Sequence, residues 1–162
     1  EAGQGWVVDT PTHVDEAKLG VVLVAGVAVR DTGAGELVGL RCELAKESDV
    51  ADHFKQFVEV FVKSASRERW MSFLIKRPER IYKHSSKLEE CLLEDQCKRS
   101  SIPDSWETDS EGIYYDFMDE PIVLTLSDAV RVGMGGDAIF SLTAGKRVAL
   151  FSHEGWITVC TK

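Results

Sequence analysis

Asparagine is absent from this 162-residue chain. Its absence rules out any Asn-x-Ser/Thr glycosylation acceptor and leaves glycine to supply most positive-φ backbone positions. Long apolar runs are missing too. The longest, Val21–Val29, has nine residues with Gly26 inside it, against about 20 for a membrane-spanning helix. The first residues lack the basic stretch and apolar core of a signal peptide. Histidine and cysteine are scarce, four of each, and no two cysteines are spaced as Cys-x-x-Cys. A zinc site is therefore not supported, and neither a metal nor a cofactor is expected. There is no internal repeat and no low-complexity tract.

What is present fits a soluble globular chain. Apolar residues make up 44%, too many for wholesale disorder, and the length suits a single domain over residues 1–162. The N-terminal third reads as β-structure. Gly20–Arg30 suits a strand buried on both faces, and the turn cluster Asp31-Thr32-Gly33-Ala34-Gly35 leads into a second strand, Glu36–Leu44. The middle, 46–98, reads as helical. Val50, Phe54, Phe57, Val58, Phe61 and Ala65 recur at helical spacing behind a Ser48 or Asp49 cap. A second helix is predicted over Arg67–Lys76 with Trp70, Phe73 and Leu74 inward. The capping box Ser86-Lys87-Leu88-Glu89 predicts a third from Lys87 to Cys97. Polar Lys98–Glu111, with Pro103, reads as a loop. Five strands are then predicted: Gly112–Met118, Ile122–Leu126, Ala138–Leu142, Lys146–Phe151 and Trp156–Cys160. Tight turns fall at Thr143-Ala144-Gly145 and Ser152-His153-Glu154-Gly155. Strands, then about three helices, then strands predict an α+β fold with a mainly antiparallel sheet.

The net charge of −8 is unevenly spread. Residues 88–120 hold eleven acids and two bases, while 63–87 hold eight bases and two acids. In the basic block, Trp70, Phe73 and Tyr82 lie among Arg67, Arg69, Lys76, Arg77, Arg80 and Lys83, a mixture that suits single-stranded nucleic acid. An acidic chain repels a polyanion, however. The favoured reading is that the aromatics are core and the charges pair with the acidic segment. Asp104, Glu107, Asp109, Glu111 and Asp116 lack the spacing of a calcium loop. Asp104, Trp106, Glu107, Asp109 and Glu111 are instead the candidate binding residues, a face for a basic protein partner within Lys87–Glu120.

Catalytic patterns are thin. Gly133-Met134-Gly135-Gly136-Asp137 lacks the residues of a P-loop or a dinucleotide fingerprint and reads as a turn. His153 and Cys160 lie on or beside one hairpin and form the only candidate thiolate pair. Cys42, Cys91, Cys97 and Cys160 allow three pairings into two disulfides, with free buried thiols as the alternative. Disulfides would point to an extracytoplasmic setting. Cys91 and Cys97 are not expected to pair, because six residues of helix separate them by about 9 Å.

The segment 129–159 resembles bacterial SH3-like repeats. Val130-Arg131, Leu142, Gly145, Val148, Gly155 and Trp156 fall in the order and spacing of that family. The resemblance implies binding to cell-wall or peptide ligands and does not imply catalysis. Taken together, the sequence predicts a non-enzymatic interaction domain, of the kind an acidic inhibitor or immunity protein represents. The alternative is a small enzyme with a scattered site. A deep pocket with convergent titratable groups would favour the enzyme, and a flat charged patch the binder.

Overall fold

The computed structural model describes the backbone of three N-terminal strands and all atoms of residues 43–76 and 84–162. Cys42, Arg77, Arg80, Tyr82 and Lys83 lie outside the described residues. The chain divides into two compact units, Glu1–Cys42 and Glu43–Lys162. In the first, β1 (Val21–Val24), β2 (Val27–Asp31) and β3 (Leu37–Arg41) form an antiparallel sheet in the order β1-β2-β3. The predicted continuous strand Gly20–Arg30 is thus two strands, with Val24 opposite Val27.

The second unit is α+β. Its sheet has seven antiparallel strands in the order β4-β7-β6-β8-β9-β10-β5. These are β4 (Glu43–Leu44), β5 (Cys97–Arg99), β6 (Glu111–Tyr115), β7 (Ile122–Thr125), β8 (Ala138–Thr143), β9 (Arg147–Phe151) and β10 (Ile157–Thr161). The central strands β8 and β9 are buried at almost every position, as expected for strands covered on both faces. Gly145 and Gly155, at φ 63° and 95°, make the two predicted hairpin turns, a conformation that costs glycine no Cβ clash. Gly112 is required for a different reason. A Cβ there would lie 2.6 Å from the Ser141 carbonyl oxygen on β8.

Helix α1 (Glu47–Phe61) lays its apolar stripe on this sheet. Phe54, Phe57, Val58 and Phe61 are fully buried and share a core with Tyr115, Ile139, Val148 and Cys160. The predicted side-chain cap is not used. The backbone carbonyl of Lys46 accepts from the amides of Asp49 and Val50 instead. The second predicted helix is α2 (Arg67–Met71), continued by a π-helical turn over Ser72–Lys76. Trp70 and Leu74 are buried and Phe73 is half-buried.

The predicted third helix is not formed. Residues 85–91 make two short 3₁₀ turns, and Cys97 opens strand β5. Pairing with the end of α1 outcompetes the local capping signal: the Lys63 amide donates to the Cys91 carbonyl and the Leu93 amide to that of Phe61. Cys97 lies opposite Cys160 in the β5–β10 pair and forms a disulfide with it, while Cys91 is a free thiol. Cys91 and Cys97 are therefore unpaired with each other, although the continuous helix on which that expectation rested is absent. A helix absent from the sequence reading, α3 (Leu126–Gly133), follows β7 directly, with Thr125 Oγ1 capping the Asp128 amide. Val130 and Arg131 accordingly lie on a helix.

Candidate functional site

Seven strands and a cross-strand disulfide leave one end of β8, β9, β10 and β5 facing the 3₁₀ turns of residues 85–91. Between them lies an open cleft of about 420 Å³. Its apolar lining comes from buried residues, Leu88, Phe117, Leu150 and Phe151. Phe117 is the one non-glycine residue with positive φ among those described, at 66°. Asp116 Oδ1 stabilises that turn by accepting from the amides of Met118 and Asp119. Backbone held in this sparsely populated region clusters at ligand sites.

One polar group of the cleft is built around Glu89. Its Oε1 accepts from Arg99 Nε at 2.7 Å and Thr158 Oγ1 at 2.9 Å, and its Oε2 from Arg99 Nη2 at 3.3 Å and Trp156 Nε1 at 3.1 Å. The Arg99 hydrogen bond holds the Glu89 carboxyl below the usual carboxylate range. The same contacts lay the Arg99 guanidinium over the Trp156 ring, 3.7 Å from its centroid. Arg99 and Thr158 face each other across β5 and β10, so the network ties an edge strand to its neighbour and to the 3₁₀ turn. Each partner loses little rotamer freedom on meeting a ligand.

The other polar group is His153 with Asp137. Asp137 Oδ1 accepts from the His153 backbone amide and lies 2.9 Å from Nδ1. The hydrogen bond that Asp137 accepts, with its charge, raises the pKa of the exposed imidazole. Asp137 precedes β8 and His153 sits in the β9–β10 turn. The contact therefore orients the ring with Nε2 free of that carboxylate. The candidate His153–Cys160 pair is not formed, because Cys160 is fully buried in its disulfide.

The predicted binding residues lie elsewhere in the sequence and in a different environment. Asp104, Glu107, Asp109 and Glu111 are exposed. Trp106 is buried, with 4% of its surface accessible, and its amide donates to Pro103. The loop packs on the start of α3, where Leu126 and Ser127 amides donate to Ser110 and Thr108. None of the five lines the cleft. In the basic segment Trp70 is core, Arg67 donates to the Val62 carbonyl, and Lys63 lies 3.9 Å from Glu94. Among the described residues no cluster of three or more His, Cys, Asp or Glu could hold a metal ion. No described helix is long and apolar enough to cross a membrane.

Sequence reasoning singled out His153 and the Gly155-Trp156 turn but missed Glu89, Arg99, Asp137 and Thr158. Glu89 sat inside a predicted helix, and Arg99 in a predicted loop. No family model matches this chain, and no curated protein or solved structure matches it either.

Proposed function

We propose that this protein is a non-enzymatic interaction domain and that the cleft beside β10 and β5 receives a segment of a protein partner. The observation that carries this reading is the Glu89 network, which fixes an arginine on a half-buried tryptophan at the cleft wall. Tryptophan and arginine are the residues most enriched at binding hot spots, and rigid anchors bind with the smallest ordering cost. The resemblance of 129–159 to SH3-like repeats agrees with a peptide ligand. The exposed acids Asp104, Glu107, Asp109 and Glu111 add a second surface suited to steering a basic partner. The Cys97–Cys160 disulfide agrees with an oxidising, extracytoplasmic setting.

The test is affinity capture from native lysate with quantitative mass spectrometry, comparing the natural chain with Trp156→Ala. A partner enriched by the first and lost with the second is the expected result. Equal recovery with both removes the cleft from the reading. The His153–Asp137 pair favours a second reading, a small enzyme with His153 Nε2 as proton acceptor. Under that reading His153→Gln leaves capture intact while abolishing turnover.

A further inference from the structure

The charge of the cleft is unbalanced once its internal pairs are removed. Glu89 is matched by Arg99, and Asp137 by His153. Two further carboxylates line the same space, Glu90 and Glu154, both exposed. Among the described residues neither has an ion-pair partner in hydrogen-bonding range. Glu154 acts on both Arg99 and His153 at longer distance. Arg99 is thus already compensated, and the surplus is negative whether or not His153 carries a proton. It sits on a chain with net charge −8, whose field repels an incoming anion and attracts a cation.

The uncharged lining points the same way. Leu88, Phe117 and Phe151, all buried, line the cleft together with exposed carboxylates. That arrangement suits a side chain with a methylene stem and a charged head, since such chains bury the stem and keep the head at a polar edge. The chain already uses this chemistry on itself. Arg99 lies over an indole with a carboxylate bound to its guanidinium, the geometry in which aromatic faces and acids together hold a cation.

We propose that the cleft takes a cationic side chain, a lysine or arginine from a basic peptide segment, its stem against Leu88, Phe117 and Phe151 and its head between Glu90 and Glu154. The assignment rests on the binding reading above and adds the chemistry of the ligand. It differs from the acidic-loop surface, which steers a partner at long range but offers no cavity.

The probes are four capped tripeptides with a central lysine, arginine, glutamate or alanine, titrated into the ¹⁵N-labelled full chain. The readouts are the Trp156 indole N–H and the amides of His153 and Glu154. The lysine and arginine peptides are expected to give saturable shifts at all three, and the glutamate and alanine peptides none. In the double variant Glu90→Gln/Glu154→Gln, whose amide spectrum reports that it is folded, binding is expected to weaken about tenfold. Preferential binding of the glutamate peptide overturns the proposal. So does the absence of any shift with the basic peptides, or undiminished binding by the double variant. If capture of a partner still depends on Trp156 in those cases, the interaction-domain reading stands and only the cation assignment falls.

Discussion

Glu89 accepts four hydrogen bonds, from Arg99 twice, Trp156 and Thr158, and so links three segments distant in sequence. No spacing rule could have found it, because its partners lie 10, 67 and 69 residues away. Its depressed pKa makes a signed prediction. A carboxylate stabilised in the folded state contributes stability above its unfolded pKa, and that contribution is lost as pH falls through the folded value. The Trp156 indole resonance should therefore stay constant through about pH 4.3, where an ordinary glutamate titrates, and move only below it. A midpoint at the ordinary value would mean that the network is not formed. The two described histidines with shifted pKa values should separate in opposite directions. Burial pushes His53 down, against the opposing charges of Asp52 and Asp49. Asp137 pushes His153 up, so its ion pair is complete at low pH and is lost as pH rises through the folded pKa. In an NMR titration His153 should titrate at a higher pH than His53, and Asp137→Asn should bring His153 down. Coincident midpoints would contradict both environments.

At the scale of elements, α1 was legible because apolar residues at helical spacing have one physical solution, a stripe on a sheet; five of the six predicted lie on α1, and the sixth, Ala65, falls in the 3₁₀ turn Ser64–Ser66. Phe57 tests that reading. Its side chain is completely buried beside Phe61, and Phe57→Ala should cost about 3–5 kcal/mol. A melting curve unchanged by that substitution would place the helix elsewhere. Segment 85–99 was illegible for the opposite reason. Its capping box is a local signal worth about 1 kcal/mol. The strand pairing of Cys97 with Cys160 and the bridge between Val62 and Leu92 are long-range, and no local pattern announces them. The disulfide closes a loop across a sequence separation of 63, which corresponds to about 4 kcal/mol of chain entropy in the unfolded state. Replacing both cysteines by serine should lower the melting temperature. It should also increase hydrogen exchange at Lys98 and Arg99, since β5 pairs with β10 alone. Unchanged exchange there would show that β5 is held by its hydrogen bonds alone. Helix α3 was missed because its cap, Thr125, and its first residue, Leu126, lay inside a predicted strand, and only eight residues carry its pattern.

The chain combines a cleft with a net charge of −8, and the two have separable consequences. The charge separation was readable from the sequence as composition. The cleft was not, because it is assembled from the 3₁₀ turns, β5, the β6–β7 connection and the β9–β10 turn. Reversing Asp104, Glu107, Asp109 and Glu111 to lysine should barely change the melting temperature, because exposed charges contribute roughly 0–1 kcal/mol each. The same change should slow association with a basic partner by about an order of magnitude at low salt, and less at high salt. The dissociation rate should change little. A large loss of stability without a change in on-rate would make these acids structural counterions. If a partner binds in the cleft, a photo-crosslinking phenylalanine analogue placed at Ser86, an exposed residue on the cleft lining, will report it. The expected result is one discrete covalent adduct from native lysate, lost when Trp156→Ala is added. Absence of a discrete adduct, or the same adduct in the Trp156→Ala background, would contradict it.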